Sequence, residues 1–161
     1  MADVLDRARN SATLPSAARG PARPVVLATL QVRVDPTAER VALESALEVG
    51  VSLIVANMIH LPAYPTTAIL APECATLPHE EDLDAVRATA ARAAALGIRT
   101  ELLRVRSPRP VRALLELAVE RNAGLLVFGP DLERTSGWRF RLAARHVRRH
   151  APCLVWVAPD G

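Results

Sequence analysis

The sequence predicts an α/β domain built on an open, five-stranded parallel sheet with helices on both faces, a three-layer Rossmann-like arrangement. Three observations lead there. Near-continuous apolar runs recur along the chain, stretches with helical spacing of apolar residues alternate with them, and Gly, Pro, Asn and Asp mark most of the boundaries between the two. Strands alternating with helices in this way need right-handed crossovers onto a parallel sheet.

Pro24 opens the first apolar run, Val25 to Leu30, whose lack of alternation fits a strand covered on both faces. Asp35 followed by Pro36 supplies a helix N-cap and a proline at the first helical position, and Leu43, Ala46 and Leu47 are the expected inward face of a helix that Gly50 ends. Leu53 to Ile59 is the second buried strand. From Leu61 to Pro78 the prolines Pro62, Pro65, Pro72 and Pro78 predict a long irregular connection of the kind that often carries function.

The second helix is expected from about Glu80 to Leu96, with Leu83, Val86, Ala90 and Ala93 or Ala94 inward and Gly97 at its end. Ile98 to Val105 alternates as an edge strand. After Ser107 to Pro110, the stripe Val111, Leu114, Leu115, Ala118, Val119 predicts a third helix, closed by Asn122-Ala123-Gly124. Leu125 to Phe128 is the fourth strand, stopped by Gly129-Pro130. A helix from about Gly137 to Arg149 and a strand from Cys153 to Val157 complete one domain spanning residues 24–158, preceded by a mobile tail over residues 1–23. Ligands in such sheets sit beyond the carboxyl ends of the strands where the winding reverses, which nominates Thr29-Leu30-Gln31, Met58 to Leu61 and Phe128 to Leu132.

Composition narrows the chemistry. The chain has 161 residues, 50% hydrophobic, 3% aromatic and 23% charged, enough aliphatic surface for one core. All 20 basic residues are arginine, against 17 carboxylates, for a net charge of +3. Without lysine, neither a Walker-type phosphate loop nor Schiff-base chemistry can operate. The N-terminal stretch has no apolar core of the kind a secretory signal needs, and the uncharged stretch from Val49 to Pro72 is interrupted at Asn57, His60, Pro62 and Pro65, so a membrane span is not expected. Cys74 and Cys153 form no paired motif. A cytoplasmic protein is expected.

The segment Pro110 to Asn122, continued by Ala123-Gly124-Leu125-Leu126-Val127-Phe128-Gly129-Pro130, together with the ending His150-Ala151-Pro152-Cys153-Leu154-Val155-Trp156-Val157, resembles the universal stress protein family. The resemblance implies a five-stranded parallel sheet, a homodimer joined through the last strand (Leu154, Val155, Trp156, Val157) and, in one subset of members, ATP at the switch point. ATP-binding members carry G-x-x-G, nine residues, then G-S or G-T after the fourth strand, because close backbone approach to phosphates needs glycine and a helix N-terminus supplies amide donors. Here Gly129 keeps the first position, Leu132 stands at the second glycine, and Arg141 and Leu142 stand at the last glycine and hydroxyl. Thr29 or Leu30 replaces the acidic residue expected to hold the ribose, and Asp35 is better used as a helix cap. The resemblance thus gives a degenerate nucleotide crevice made of Thr29, Leu30, Met58, Phe128, Gly129, Leu132, Arg141 and Leu142. It implies no cofactor bound in the family's manner, with ATP or AMP left to a rearranged site using Arg134, Arg139 or Arg141.

Other constellations read more plainly. Residues 134–150 hold six arginines, two histidines and no acid. This is either a surface for nucleic acid or another anionic partner, or the solvated outer face of the last helix, whose cations also suit the helix C-terminus. The second reading, with Phe140, Ala143, Ala144 and Val147 facing inward, is preferred because no basic segment with interleaved stacking aromatics accompanies the cluster. Trp138 and Trp156 read as packing residues. His146 and His150 have ligand-like spacing, but neighbouring arginines repel a cation and no metal is expected. His60 and His79 read as loop residues flanking the proline-rich connection. Glu80-Glu81-Asp82 reads as a set of helix-dipole partners. No serine or cysteine has a catalytic setting, so no enzymatic role is expected. The preferred function is a homodimeric, stress-associated regulatory binding module acting with an unidentified regulatory partner. The alternatives are a nucleotide-binding member with an arginine-based phosphate site and an anionic-partner binder acting through the last helix.

Overall fold

A computed structural model describes residues 22–61 and 79–158; the N-terminal segment to residue 21, the proline-rich connection and Cys74 lie outside the described residues. The elements run β1 (Val25–Leu30), α1 (Pro36–Val49), β2 (Leu53–His60), α2 (Glu80–Ala95), β3 (Thr100–Ser107), α3 (Pro110–Glu120), β4 (Leu125–Phe128), α4 (Gly137–His150) and β5 (Leu154–Val157). The five strands are all parallel in the order β3-β2-β1-β4-β5. Helices α1 and α2 cover one face and α3 and α4 the other. The predicted three-layer fold is therefore the observed one, with β1 and β4 flanking the point where the winding reverses.

Local chemistry explains the element ends. Asp35 accepts hydrogen bonds from Thr37 N at 2.9 Å and Ala38 N at 3.0 Å, which satisfies two of the first-turn donors of α1. Gly50 closes the helix in the left-handed conformation at φ 70°, where an L side chain is strained.

Some faces differ from those expected. The buried side of α1 is Ala38, Ala42 and Ala46, while Leu47 is 48% exposed. The small side chains let α1 lie close on the sheet, which a leucine face would prevent. In α2 the buried positions are Asp82, Val86, Thr89 and Ala93, so two polar residues share the inward stripe. In α3, Leu117 is buried and Val119 exposed. Strand β3 starts at Thr100, two residues later than the alternation suggested, because Ile98 still packs in the α1/α2 layer beneath the turn. Trp138 does not pack inside; it is largely exposed, whereas Trp156 is partly buried against both core layers.

Candidate functional site

The carboxyl ends of β1 and β4 are bound to one another through the loops that follow them. Gly129 N donates to Ala28 O at 3.0 Å, Asp35 N to Gly129 O at 2.9 Å and Asp131 N to Arg33 O at 3.0 Å, with Val34 and Pro130 forming an antiparallel bridge. Gly129 is required there by helix packing. A Cβ added to it would clash with the Cβ of Ala38.

The loop from Gly129 to Ser136 is organised around Asp131, a buried carboxylate. Its Oδ1 accepts from Glu133 N at 2.9 Å, its carbonyl accepts from Arg134 N at 3.2 Å, and its Oδ2 takes the Nε of Arg33. Arg33 also reaches Glu133. The Asp131 contact holds the Arg33 guanidinium above its usual pKa, first through the hydrogen bond and then through charge. The amides at Asp131, Glu133 and Arg134 are thus all engaged within the protein.

A second buried carboxylate completes the cluster. Asp82, only 1% exposed, accepts from Arg33 N at 3.1 Å and from Arg134 Nη1 at 3.2 Å, while Arg134 also stands 3.6 Å from Glu81. Asp82 therefore ties the first turn of α2 to both crossover loops, a role beyond the helix-dipole partner that the acidic run suggested. A first-turn acid followed at helical spacing by Val86, Thr89 and Ala93 was the available signal that this residue faces inward.

The nominated crevice residues are placed as follows. Thr29 is fully buried and donates to Val32 O at 2.7 Å, so its hydroxyl shapes the β1–α1 turn. Leu30 and Leu132 are partly buried against the α3/α4 core. Met58 and Phe128 are fully buried in that core, Phe128 stacked on Phe140 with centroids 5.9 Å apart. Arg141 and Leu142 are exposed on α4 and sit well inside it, since Phe140 N already donates to Ser136 O at the helix start. From that point onward backbone amides serve the helix ladder. The sequence did not point to Gln31 and Asn57 as a linked pair. Gln31, at φ 60°, donates its amide to Asn57 Oδ1 at 3.2 Å and accepts from His60 N at 3.0 Å. Asn57 Nδ2 is buried with no hydrogen-bond partner among the described residues.

Among the described residues no cluster of His, Cys, Asp or Glu is arranged to hold a metal ion, and no helix is long and apolar enough to cross a membrane. His146 and His150 stack on each other, with His150 Nδ1 2.9 Å from His146 O.

Fold and site together define a three-layer, parallel α/β domain of Rossmann-like architecture, in which side-chain carboxylates organise the loop after β4. The model of the universal stress protein family matches residues 22–159, and the chain belongs to that family. Among solved structures it is similar to the universal stress protein UspA from Lactobacillus plantarum, with 16% identity, a TM-score of 0.65, and 86% of this chain and 99% of that one covered. It is also similar to a universal stress protein solved in complex with cAMP, with 25% identity, a TM-score of 0.61, and 86% and 98% covered. A third similar structure is the universal stress protein from Archaeoglobus fulgidus in complex with dAMP, with 24% identity, a TM-score of 0.53, and 84% and 96% covered. Among curated proteins none matches the chain significantly.

Proposed function

We propose that this family member is a homodimeric regulatory binding module of the stress response, cytoplasmic and without catalytic turnover, that does not bind ATP through a backbone cradle. The observation that carries this reading is the Asp131-centred loop. The amides of Asp131, Glu133 and Arg134 bond inward, and the carboxylates of Asp131 and Glu133 add negative charge to the loop, which disfavours a triphosphate there. The position of Arg141 and Leu142 inside α4 supports it further, because their amides are held by the helix. Dimerisation through β5 is supported by the strand's place at the sheet edge and by Leu154, which is 76% exposed there.

A nucleotide monophosphate is the second reading, favoured by the 25% identical relative solved with cAMP. It would need a phosphate site built from arginine side chains. Thermal unfolding separates the two. Millimolar ATP with magnesium is expected to leave the melting temperature unchanged, and a saturable rise would contradict the first reading. A saturable rise with AMP or cAMP alone would establish the second.

A further inference from the structure

The outer surface of α4 is unlike that of any other helix described. Its exposed ridge runs Trp138, Leu142, Arg145, Arg149 at i, i+4, i+7 and i+11, with Arg141 and Arg148 on one flank and Arg139 on the other. Trp138 is 58% exposed and Leu142 59%. The Arg139 guanidinium lies 5.4 Å from the centroid of the Trp138 ring. Among the described residues Arg141, Arg145, Arg148 and Arg149 have no ion pair or hydrogen bond through their side chains, whereas Arg33, Arg92, Arg121 and Arg134 are each matched by a carboxylate.

Helix electrostatics accounts for only part of this. Arg148 and Arg149 in the last turn complement the negative end of the dipole, but Arg139 and Arg141 near the positive end oppose it. Helices α1 and α2 follow the usual rule, with Glu39 opening α1 and Glu80, Glu81 and Asp82 opening α2, while α3, like α4, opens without an acid. The first turn of α4 has no acid, and Ser136 makes no side-chain capping bond. An external polyanion would relieve that arrangement along the whole helix.

We propose that the exposed face of α4 binds single-stranded nucleic acid, with Arg141, Arg145, Arg148 and Arg149 contacting backbone phosphates and Trp138 providing a stacking surface for a base. A row of cations beside an exposed indole is the combination that holds unpaired strands, whose bases leave a π-face free. In a duplex the base faces are covered, and Trp138 would have no role. The sequence offers no basic segment with recognisable interleaved stacking aromatics; the exposure of Trp138 beside these arginines supplies one such aromatic.

The test is fluorescence anisotropy of a labelled 12-nucleotide oligouridine with the full chain, repeated across salt concentrations. With four phosphate contacts, log K is expected to fall against log salt with a slope of about −3, and Arg145→Ala to reduce that slope by about 0.7. Trp138→Ala is expected to weaken binding about ten-fold with the slope unchanged. In a Trp156→Phe background the oligonucleotide is expected to quench the remaining indole. All the substituted side chains on α4 are exposed, and matching circular dichroism will show that each variant is folded. Absence of binding at low salt overturns the proposal, as does equal binding by an Arg141→Ala, Arg145→Ala, Arg149→Ala triple variant. So does displacement of the oligonucleotide by phosphatidylserine vesicles with a blue-shifted Trp138, which would assign the face to a lipid surface.

Discussion

Gly129 lies so close to helix α1 that a Cβ built on it would stand 2.0 Å from the Cβ of Ala38. The first glycine of the family's phosphate pattern is therefore fixed in this chain by the packing of a helix against a strand end, independently of any ligand. Gly129→Ala is expected to destabilise the fold by about 3 kcal/mol. Ala38→Gly in the same chain makes room for the new methyl but costs about 1 kcal/mol as a helix-interior glycine, so the double variant should recover part of the loss. Urea denaturation of the two single variants and the double variant measures this. Additive destabilisation would contradict the contact.

Asp82 joins α2 to both crossover loops through Arg33 N and Arg134. Asp82→Ala leaves a part-buried amide and a guanidinium without their acceptor, and a loss of about 2 kcal/mol is expected, below the full cost of breaking a buried pair because Arg134 remains partly in solvent. Asp84→Ala is the control. Asp84 pairs with Arg87 three residues away on the exposed side of the same helix, and its loss should change stability by less than about 0.5 kcal/mol. Equal effects at the two positions would show that Asp82 does not act as a tie.

Leu154 is the residue of β5 that projects furthest into solvent, while Trp156 is packed against both layers of the core. If β5 joins two copies, Leu154→Arg should yield folded, soluble monomer, and Trp156→Glu should yield unfolded protein, since it places a charge in the core. Sedimentation velocity and circular dichroism distinguish the two outcomes. A Leu154→Arg chain with the same sedimentation coefficient as the parent would exclude this strand as the contact.

Burial pushes the Cys153 thiol above its ordinary pKa, with opposing smaller effects from a hydrogen bond involving the Leu126 backbone and from the charge of Arg23. The folded protein therefore holds its proton more tightly than the unfolded chain. Stability from this group is complete below the unfolded thiol pKa and declines as pH rises through the folded one. In a Cys74→Ser background, alkylation of Cys153 by iodoacetamide should be slower in native protein than in urea, and Cys153→Ala should flatten the alkaline fall in stability. Equal alkylation rates would contradict the thiol's placement.

How much of this was legible in the sequence follows from the physics of each feature. Strands covered on both faces leave continuous apolar runs, and caps such as Asp35-Pro36 and Gly50 are local chemistry, so element order, the edge position of β3 and the winding reversal could all be read from the chain. Helix faces were read less well where size, not hydrophobicity, decided burial. Ala38, Ala42 and Ala46 turn inward because α1 lies tight on the sheet beside Gly129, which leaves Leu47 outside. The site was least legible. Asp82 meets Arg134 52 residues later and Arg33 meets Asp131 98 residues later, contacts that only the assembled fold creates. The inward face of α4, by contrast, was legible: the spacing of Phe140, Ala143, Ala144 and Val147 marks the buried side, and Trp138 lies on the opposite one.

The proposed dimer pairs through β5, and its Asp131-centred loops offer ATP no backbone cradle. A native mass spectrum of protein purified without added nucleotide tests both parts at once. The expected species is a dimer whose mass equals two polypeptide chains and nothing more. A monomer, or a dimer carrying the added mass of ATP on each chain, would contradict it.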